Sequence, residues 1–339
     1  MSTPILRCCV ALLLLGFGLF WMRPAQATIT CSNTTMSPVA FGPVNPLSSQ
    51  TDTQATLSFT CKNSGGVFGT TYSATVCFSI GEPGGGPTDP RQMSDAAGDI
   101  LTFQLYRDSA RTQPWGSEGF GTFRTPMQVN ITLAPGASQN FSATLYARVT
   151  NGQTTVPPAA AGYSDNYMNG DTATSINQQS GNTAPGTCGG GYVSGLTFPF
   201  LVSASVASQC TVSAGIPLTL GSAGGVAAGT TNNTGSTTFS VTCTNSTSYN
   251  IGLSPSNNSL TGAGLMSGTG GNTNKVPYQL NQKVTGTVWG NTATSASVGN
   301  GVAGTGNGSA KSLTVYATAP GSDFKPDTYS DIVTINVNY

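Results

Sequence analysis

The sequence contains no histidine and few charged residues. Acidic and basic side chains make up 7% of the chain, twelve of each sign, and the formal net charge is zero. Without histidine the chain has no ordinary Ser-His-Asp triad and no histidine ligands for a zinc hydrolase site. Without a basic patch it has little means of neutralising phosphates, which argues against nucleic acid as a partner.

Other catalytic and metal-binding patterns are also missing. Glu82 and Glu118 are the only glutamates, and no motif frames them as the paired carboxylates of a glycosidase. Asp95 and Asp99 lie in a Gly-containing loop but lack the closely spaced oxygen ligands of a calcium-binding loop. We therefore predict that the protein is not an enzyme and uses neither a cofactor nor a metal.

The N-terminus has the layout of a secretory signal peptide. Arg7 precedes an apolar run over residues 8–22, and Ala25-Gln26-Ala27 is a small-x-small cleavage site. This run of about 15 residues is shorter than the ~20 that a membrane-spanning helix needs, which argues against an anchor. Arg7 also stands where a lipoprotein signal needs a small residue. We predict cleavage of residues 1–27, export through the periplasm and no membrane span.

The exported part of the chain retains six of the eight cysteines, and such an even number is typical of disulfide-bonded secreted proteins. Zinc binding is the alternative, but the six include no Cys-x-x-Cys pair. The six are Cys31, Cys61, Cys77, Cys188, Cys210 and Cys243.

An internal repeat divides the exported chain into two halves. The recurring stretches, in the same order in both, are 60–64 and 242–246, 103–105 and 278–280, Trp115-Gly116 and Trp289-Gly290, and Tyr163-Ser164-Asp165 and Tyr329-Ser330-Asp331. The repeat makes Cys31–Cys61 the counterpart of Cys210–Cys243 and leaves Cys77 and Cys188 to bond each other. We predict one domain over residues 28–206 and a second over 207–339.

Both halves have the pattern of β-sandwiches. Apolar residues alternate over short runs, as in Leu101-Phe103-Leu105, and clusters of Gly, Pro, Asn and Ser separate the runs. The halves end differently, because an alternating run at 196–206 closes the first, whereas nothing follows the last strand, 332–339, of the second. We interpret 196–206 as the strand that completes the first domain. A plain linker strand between the domains is the alternative.

The chain resembles the spore coat protein U domain family. The Cys210-Thr-Val-Ser-Ala start, the Trp289-Gly290 pair and a final strand that begins Tyr329-Ser-Asp and ends in Tyr339 carry the resemblance. It covers nearly all of 205–339 and, more loosely, 28–204. The resemblance implies all-β, immunoglobulin-like domains, the C-terminal one lacking its last strand. It also implies a subunit of archaic, Csu-type chaperone–usher pili, in which a two-domain member of this length is the tip adhesin.

The resemblance further implies partners that supply the missing strand. These are a periplasmic pilus chaperone during export and an adjacent pilus subunit after passage through the outer-membrane usher. We expect the interface at Val333, Ile335, Val337 and Tyr339. Only three residues separate the cleavage site from Cys31, too few to donate a strand, which favours a place at the pilus tip on the cell surface. A pilus-shaft or spore-coat structural protein is the alternative.

Adhesion is expected at loops of the first domain that are distant from the second. Large apolar residues stand there among Gly and Pro, and they would attach the cell to an abiotic or host surface and support biofilm formation. The candidates are Phe68, Trp115, Phe120, Phe123, Pro157 and Pro158. Trp115 has a repeat partner in Trp289, which indicates a core position as the alternative. A glycan pocket that uses Asp89, Asp95 or Asp99 is the competing interpretation.

Overall fold

A computed structural model describes residues 28–65, 69–87, 89–119, 122–189, 191–193, 195–221 and 225–339. These residues form strands and, as helix, only the short 3-10 turn Pro83–Gly85. None of the helices in these ranges is long and apolar enough to span a membrane. The prediction of an all-β protein is therefore confirmed.

The strands of the first half build a large and a small sheet. They are β1 (Ile29–Met36), β2 (Val39–Val44), β3 (Thr51–Asn63), β4 (Tyr72–Ile80), β5 (Arg91–Ser94), β6 (Ile100–Tyr106), β7 (Met127–Leu133), β8 (Ser138–Val149), β9 (Ala159–Tyr167), β10 (Thr172–Ser180) and β11 (Phe200–Val206). The large sheet has the order β1-β3-β8-β6-β5-β9-β11-β2 and the small one the order β10-β4-β7. Alternation sets which face is buried: Leu57, Phe59 and Cys61 of β3 point into the core between the sheets.

The strands of the second half repeat this arrangement on a smaller scale. They are β12 (Cys210–Ser213), β13 (Thr231–Cys243), β14 (Ser248–Pro255), β15 (Ala263–Ser267), β16 (Lys275–Asn281), β17 (Val302–Thr305), β18 (Lys311–Gly321) and β19 (Val333–Asn338). Their sheets have the orders β12-β13-β18-β16-β15 and β17-β14-β19. Each described sheet draws its strands from one half alone, and each half has its own cluster of buried apolar residues.

Three disulfides join the cysteines in the pairs that the repeat indicates. Cys31–Cys61 links directly opposed residues of β1 and β3, with Cα atoms 4.0 Å apart. Cys210–Cys243 does the same for β12 and β13, at 4.1 Å. Cys77 of β4 bonds Cys188, which lies in the segment after β10, so this bond ties that segment to the small sheet.

Strand β11 completes the large sheet of the first half. It runs antiparallel to β9, with Phe200 opposite Tyr167, and parallel to β2, with Val202 opposite Val39. Phe198, just before the strand, is buried and stacks on Trp115 with ring centroids 5.8 Å apart. The interpretation of 196–206 as a strand of the first domain is therefore confirmed over Phe200–Val206.

Candidate functional site: an open groove in the second half

The described residues of the second half include no strand at the position that β11 has in the first half. In the first half β11 fills the space between β9 and β2. In the second half the corresponding walls are residues 214–221, after β12, and residues 322–331, before β19. No described strand lies between these walls, and the space between them is an open groove of about 910 Å³.

The floor of the groove is the apolar core of the second half. Side chains that a closing strand would cover line it, namely Phe239, Leu253, Tyr278, Leu280, Val315 and Ile335. Leu218 packs against this core from one wall, whereas Ile216 on the same wall is 80% exposed. An extended segment with alternating apolar side chains would both pair with the walls and cover the floor.

The repeat identifies the wall formed by 322–331. Ser330 and Ser267 of β15 exchange backbone hydrogen bonds of 2.8 and 3.0 Å. The equivalent Ser164 of β9 is opposite Ser94 of β5 in the first half, so the wall occupies the place of β9. Tyr278 Oη donates to Asp331 Oδ2 at 2.6 Å, and burial together with this bond raises the pKa of the Tyr278 hydroxyl well above its ordinary value.

The predicted interface residues lie on β19, but only part of β19 reaches the groove. Val333 and Ile335 line it. Val337 packs against the core outside the groove, and Tyr339 is half exposed beyond the strand. The walls themselves were not predicted, although the match of Tyr329-Ser330-Asp331 to residues of β9 was the signal that locates one of them.

A family model for the Spore Coat Protein U domain matches residues 18–168 and 196–336, well over half of the chain. The chain belongs to this family. The second match begins before β11, although β11 pairs within the sheet of the first Spore Coat Protein U domain. The boundary at 206/207 stays a prediction, with which the membership of β11 in the first sheet agrees.

Several solved structures resemble the chain over most of its length. The chaperone–tip adhesion subunit complex of the archaic Csu pili of Acinetobacter baumannii has 14% identity and a TM-score of 0.49, and the alignment covers 91% of this chain and 100% of that one. The CupB6 tip adhesin of Pseudomonas aeruginosa has 11% identity and a TM-score of 0.35, with 92% and 96% covered. The CfaE adhesive subunit of enterotoxigenic Escherichia coli has 12% identity and a TM-score of 0.29, with 91% and 93% covered. No curated protein sequence matches the chain.

Trp115 is a core residue of the first Spore Coat Protein U domain. Its side chain is fully buried, and its indole Nε1 donates to the carbonyl of Phe78 at 2.7 Å. Trp289 repeats this arrangement in the second domain by donating to Ile251 O at 2.9 Å. A buried ring cannot contact an external surface, so the surface role expected for Trp115 is wrong and the core alternative holds.

The other aromatic candidates are placed only in part. Phe68 and Phe120 lie outside the described residues. Phe123 is half-buried, and its carbonyl accepts a hydrogen bond of 3.0 Å from the amide of Ser117. A Cβ atom on Gly116 would lie 2.1 Å from that carbonyl oxygen, so the loop folds back tightly on itself here. Whether Phe123 contributes to adhesion stays a prediction.

Pro157 and Pro158 lie near the second domain. Both are half-buried, and the Pro157 carbonyl accepts a hydrogen bond of 2.7 Å from Tyr163 Oη. The neighbouring Thr155 carbonyl accepts one of 2.6 Å from Asn245 Nδ2 of the second domain. The expectation that this segment is a loop distant from the second domain is therefore wrong.

Three connections without charged residues form the opposite end of the first domain. In the part of the chain that the structure describes, they are 64–65 with 69–71, 134–137 and 180–187. The amide of Gly181 donates to Thr71 O at 2.8 Å, and Gly136 approaches Gly65, so the three meet. Strand β8 runs from this end toward Thr155. Its 12 residues span about 40 Å at ~3.3 Å per residue, so the three connections lie about one strand length from the contact with the second domain. Phe68 belongs to one of these connections by sequence.

The glycan alternative gains little from the geometry. The Asp95 carboxylate accepts hydrogen bonds from the amides of Ala97 and Asp99, each of 2.9 Å. These bonds stabilise the turn between β5 and β6. Asp95 is thus engaged within its own turn.

Proposed function

We propose that the protein is an adhesin subunit of a chaperone–usher pilus whose second domain accepts a strand from another chain. One observation carries the proposal. The second domain has an open apolar groove at the position that the first domain fills with its own β11. The two domains are repeats of one fold, so the strand that is missing in one is defined by the strand that is present in the other.

Strand addition explains why such a groove is useful. Unpaired strand edges and an uncovered core favour pairing with any suitable extended chain, which is an aggregation hazard outside a controlled pathway. A periplasmic pilus chaperone would cover the groove during export. An adjacent subunit would then replace the chaperone as the outer-membrane usher adds this chain to the pilus.

The use of β11 within the first domain supports a position at the pilus tip. Residues just before the first cysteine of the second domain would be the natural segment to offer to a neighbour. Here the segment is paired on both sides, with β9 and with β2. The chain therefore receives a strand through its second domain while its first domain is self-contained.

The end of the first domain that these three connections form is the proposed attachment surface. Its three connections, 64–71, 134–137 and 180–187, carry small and apolar residues with Phe68 as the only aromatic. One aromatic ring that loses ~100 Å² to an apolar surface contributes about 2.5 kcal/mol at ~25 cal/mol/Å². Many tips per cell would add such weak contacts into firm attachment and biofilm formation by multivalency.

A peptide with the sequence of residues 196–206, carrying a lysine tag for solubility, tests the acceptor role. We expect it to bind the purified mature chain and to raise the melting temperature of the second domain. A peptide of the same composition in scrambled order, without the alternation, should not bind. If both peptides bind alike, or if neither does, the groove is not a strand acceptor, and a structural spore-coat role becomes the better proposal.

A further inference from the structure

The groove wall that precedes β19 is fastened to a hairpin by one carboxylate. Asp327 accepts hydrogen bonds from the amide of Thr269 at 2.9 Å and from its hydroxyl at 2.5 Å. It also accepts one of 2.8 Å from Asn272 Nδ2. Thr269 and Asn272 belong to the turn between β15 and β16, so the carboxylate joins the wall to the far end of that hairpin.

Further hydrogen bonds strengthen this junction between the wall and the β15–β16 turn. Asn272 Nδ2 also donates to Tyr329 Oη at 2.9 Å, and Tyr329 Oη donates to the carbonyl of Lys325 at 2.7 Å. A Cβ atom on Gly268 would lie 2.7 Å from Asp327 Oδ2, so a glycine is needed for the turn to come this close. Two neighbouring side chains of the wall are thus held by one asparagine.

We call the bonds of Asp327 to Thr269 and Asn272 the clamp, and the described residues of the first domain contain no equivalent of it. Alignment of Tyr163 with Tyr329 places Ala161 at the position of Asp327. Ala161 lies on β9, which pairs with β11 on one side and β5 on the other. The clamp therefore occurs in the second domain, where no strand pairs with the wall. At the equivalent position of the first domain, β11 pairs with β9 and the clamp residue is replaced by alanine.

We propose that Asp327 is a positioning residue that keeps the wall of the empty groove fixed against the β15–β16 turn until a donor strand arrives. The inference rests on the proposed function of the groove. A wall that is already held in one position loses less conformational entropy when it pairs, so a donor strand associates faster. Once the donor is bound, its own hydrogen bonds hold the wall, and the clamp adds little to the lifetime of the complex.

The hydrogen bonds to the Asp327 carboxylate should persist over the whole physiological pH range. Hydrogen bonds from Thr269 and Asn272 lower the pKa of Asp327 to about 2. The carboxylate is therefore charged wherever bacteria grow, and its acceptor strength does not change with pH. The side chains that donate to it, Thr269 and Asn272, do not titrate.

Binding kinetics of the 196–206 peptide to the full mature chain test the inference. For Asp327→Ala we expect association at least about fivefold slower and dissociation within about twofold of the wild type, since the bound wall is held by the donor. Hydrogen exchange should accelerate in residues 322–331 and not throughout the second domain. A merely structural role would instead shorten the lifetime of the complex and accelerate exchange across that domain.

Asp108→Ala is the matched control. Asp108 is a partly exposed carboxylate that accepts hydrogen bonds from Thr112, at its amide and hydroxyl, and from the amide of Gln113. It lies in the first domain, so its loss should leave both peptide rate constants unchanged.

The outcomes distinguish the hypothesis about the Asp327 clamp from the hypothesis that the groove accepts a strand. If the wild type does not bind the peptide, the acceptor role and the clamp both fall. If the wild type binds and Asp327→Ala associates at the same rate, the groove stands and the clamp is wrong. Should Asp327→Ala fail to fold, Asn272→Ala removes one bond to Asp327 and one to Tyr329, and an unchanged association rate in that variant refutes the inference equally.

Discussion

The first Spore Coat Protein U domain carries a buried cluster of charged groups that should make its stability depend on pH. Arg91 is fully buried and donates to Glu82, to the carbonyl of Trp115 at 2.9 Å and to Tyr167 Oη at 2.9 Å. Asp165 of β9 has a buried oxygen, Oδ2, without a hydrogen-bond partner. Burial, reinforced by the charge of Glu82, raises the pKa of Asp165 to about 7.

The sign of the effect follows from which state binds the proton more tightly. In the unfolded chain the pKa of an aspartate is about 3.9, so between pH 4 and 7 the folded domain holds a proton that the unfolded chain releases. The contribution of Asp165 to stability is therefore fully present below about pH 4 and is lost as the pH rises to about 7. Full burial would make the loss about 4 kcal/mol, and because Asp165 is only half-buried, screening by solvent reduces it to about 2 kcal/mol.

Asp165→Asn tests this reasoning, since the amide keeps the shape of the side chain and removes its charge. We expect the variant to be more stable than the wild type by about 2 kcal/mol at pH 8 and nearly equal at pH 4. Denaturant unfolding read by hydrogen exchange and mass spectrometry reports the two domains separately. Asp99→Asn, which removes an exposed carboxylate from the same domain, should change stability little at either pH.

Burial of Glu82 raises the pKa of its carboxyl too, so the variant is expected to keep some pH dependence. The difference between wild type and Asp165→Asn isolates the contribution of Asp165. A difference that stays constant from pH 4 to pH 8, or a variant that is less stable at pH 8, would refute the assignment of a half-buried carboxyl with a raised pKa.

Two further predictions concern the attachment end. Replacing Cys77 and Cys188 together by serine opens a loop with a sequence separation of 111, so the free energy of unfolding of the first domain should fall by roughly 4 kcal/mol in a denaturant titration; removal of the pair without measurable loss would contradict the loop-closure argument. Phe68→Ala should leave pilus number and melting temperature unchanged while attachment of piliated cells to polystyrene drops severalfold, because one apolar contact per tip is lost; undiminished attachment would move the binding surface elsewhere.

The repeat made much of the architecture predictable. Cys31 and Cys61 recur as Cys210 and Cys243, so their pairing could be recognised without structure, and Cys77 and Cys188 followed by elimination. Alternation located 196–206 as a strand because its apolar residues fall on one face. These features depend on local order along the chain, which a sequence records directly.

The sequence did not predict features that depend on the distance between chain segments. The wall 214–221 has an alternating apolar run at Ile216, Leu218 and Leu220, but Gly215, Pro217 and Gly221 interrupt it. The run therefore did not by itself indicate the edge of a groove. Pro157 looked like a loop tip because its neighbours are small, whereas its position near the second domain follows from the direction of β9. The bonds of Asp327 depend on how the β15–β16 turn curls back, and no residue pattern encodes that distance.

The path of the chain between the domains determines in which direction a mechanical force acts on the first domain. Strand β11 ends at Val206, and residues 207–209 lead directly into β12 at Cys210. A force that separates the second domain from the far end of the first therefore acts along the length of β11. The hydrogen bonds to β9 and β2 lie across that direction, so they resist together in shear and are not peeled apart one at a time. The strand that completes the sheet of the first domain is thus also the segment that transmits force between the two domains.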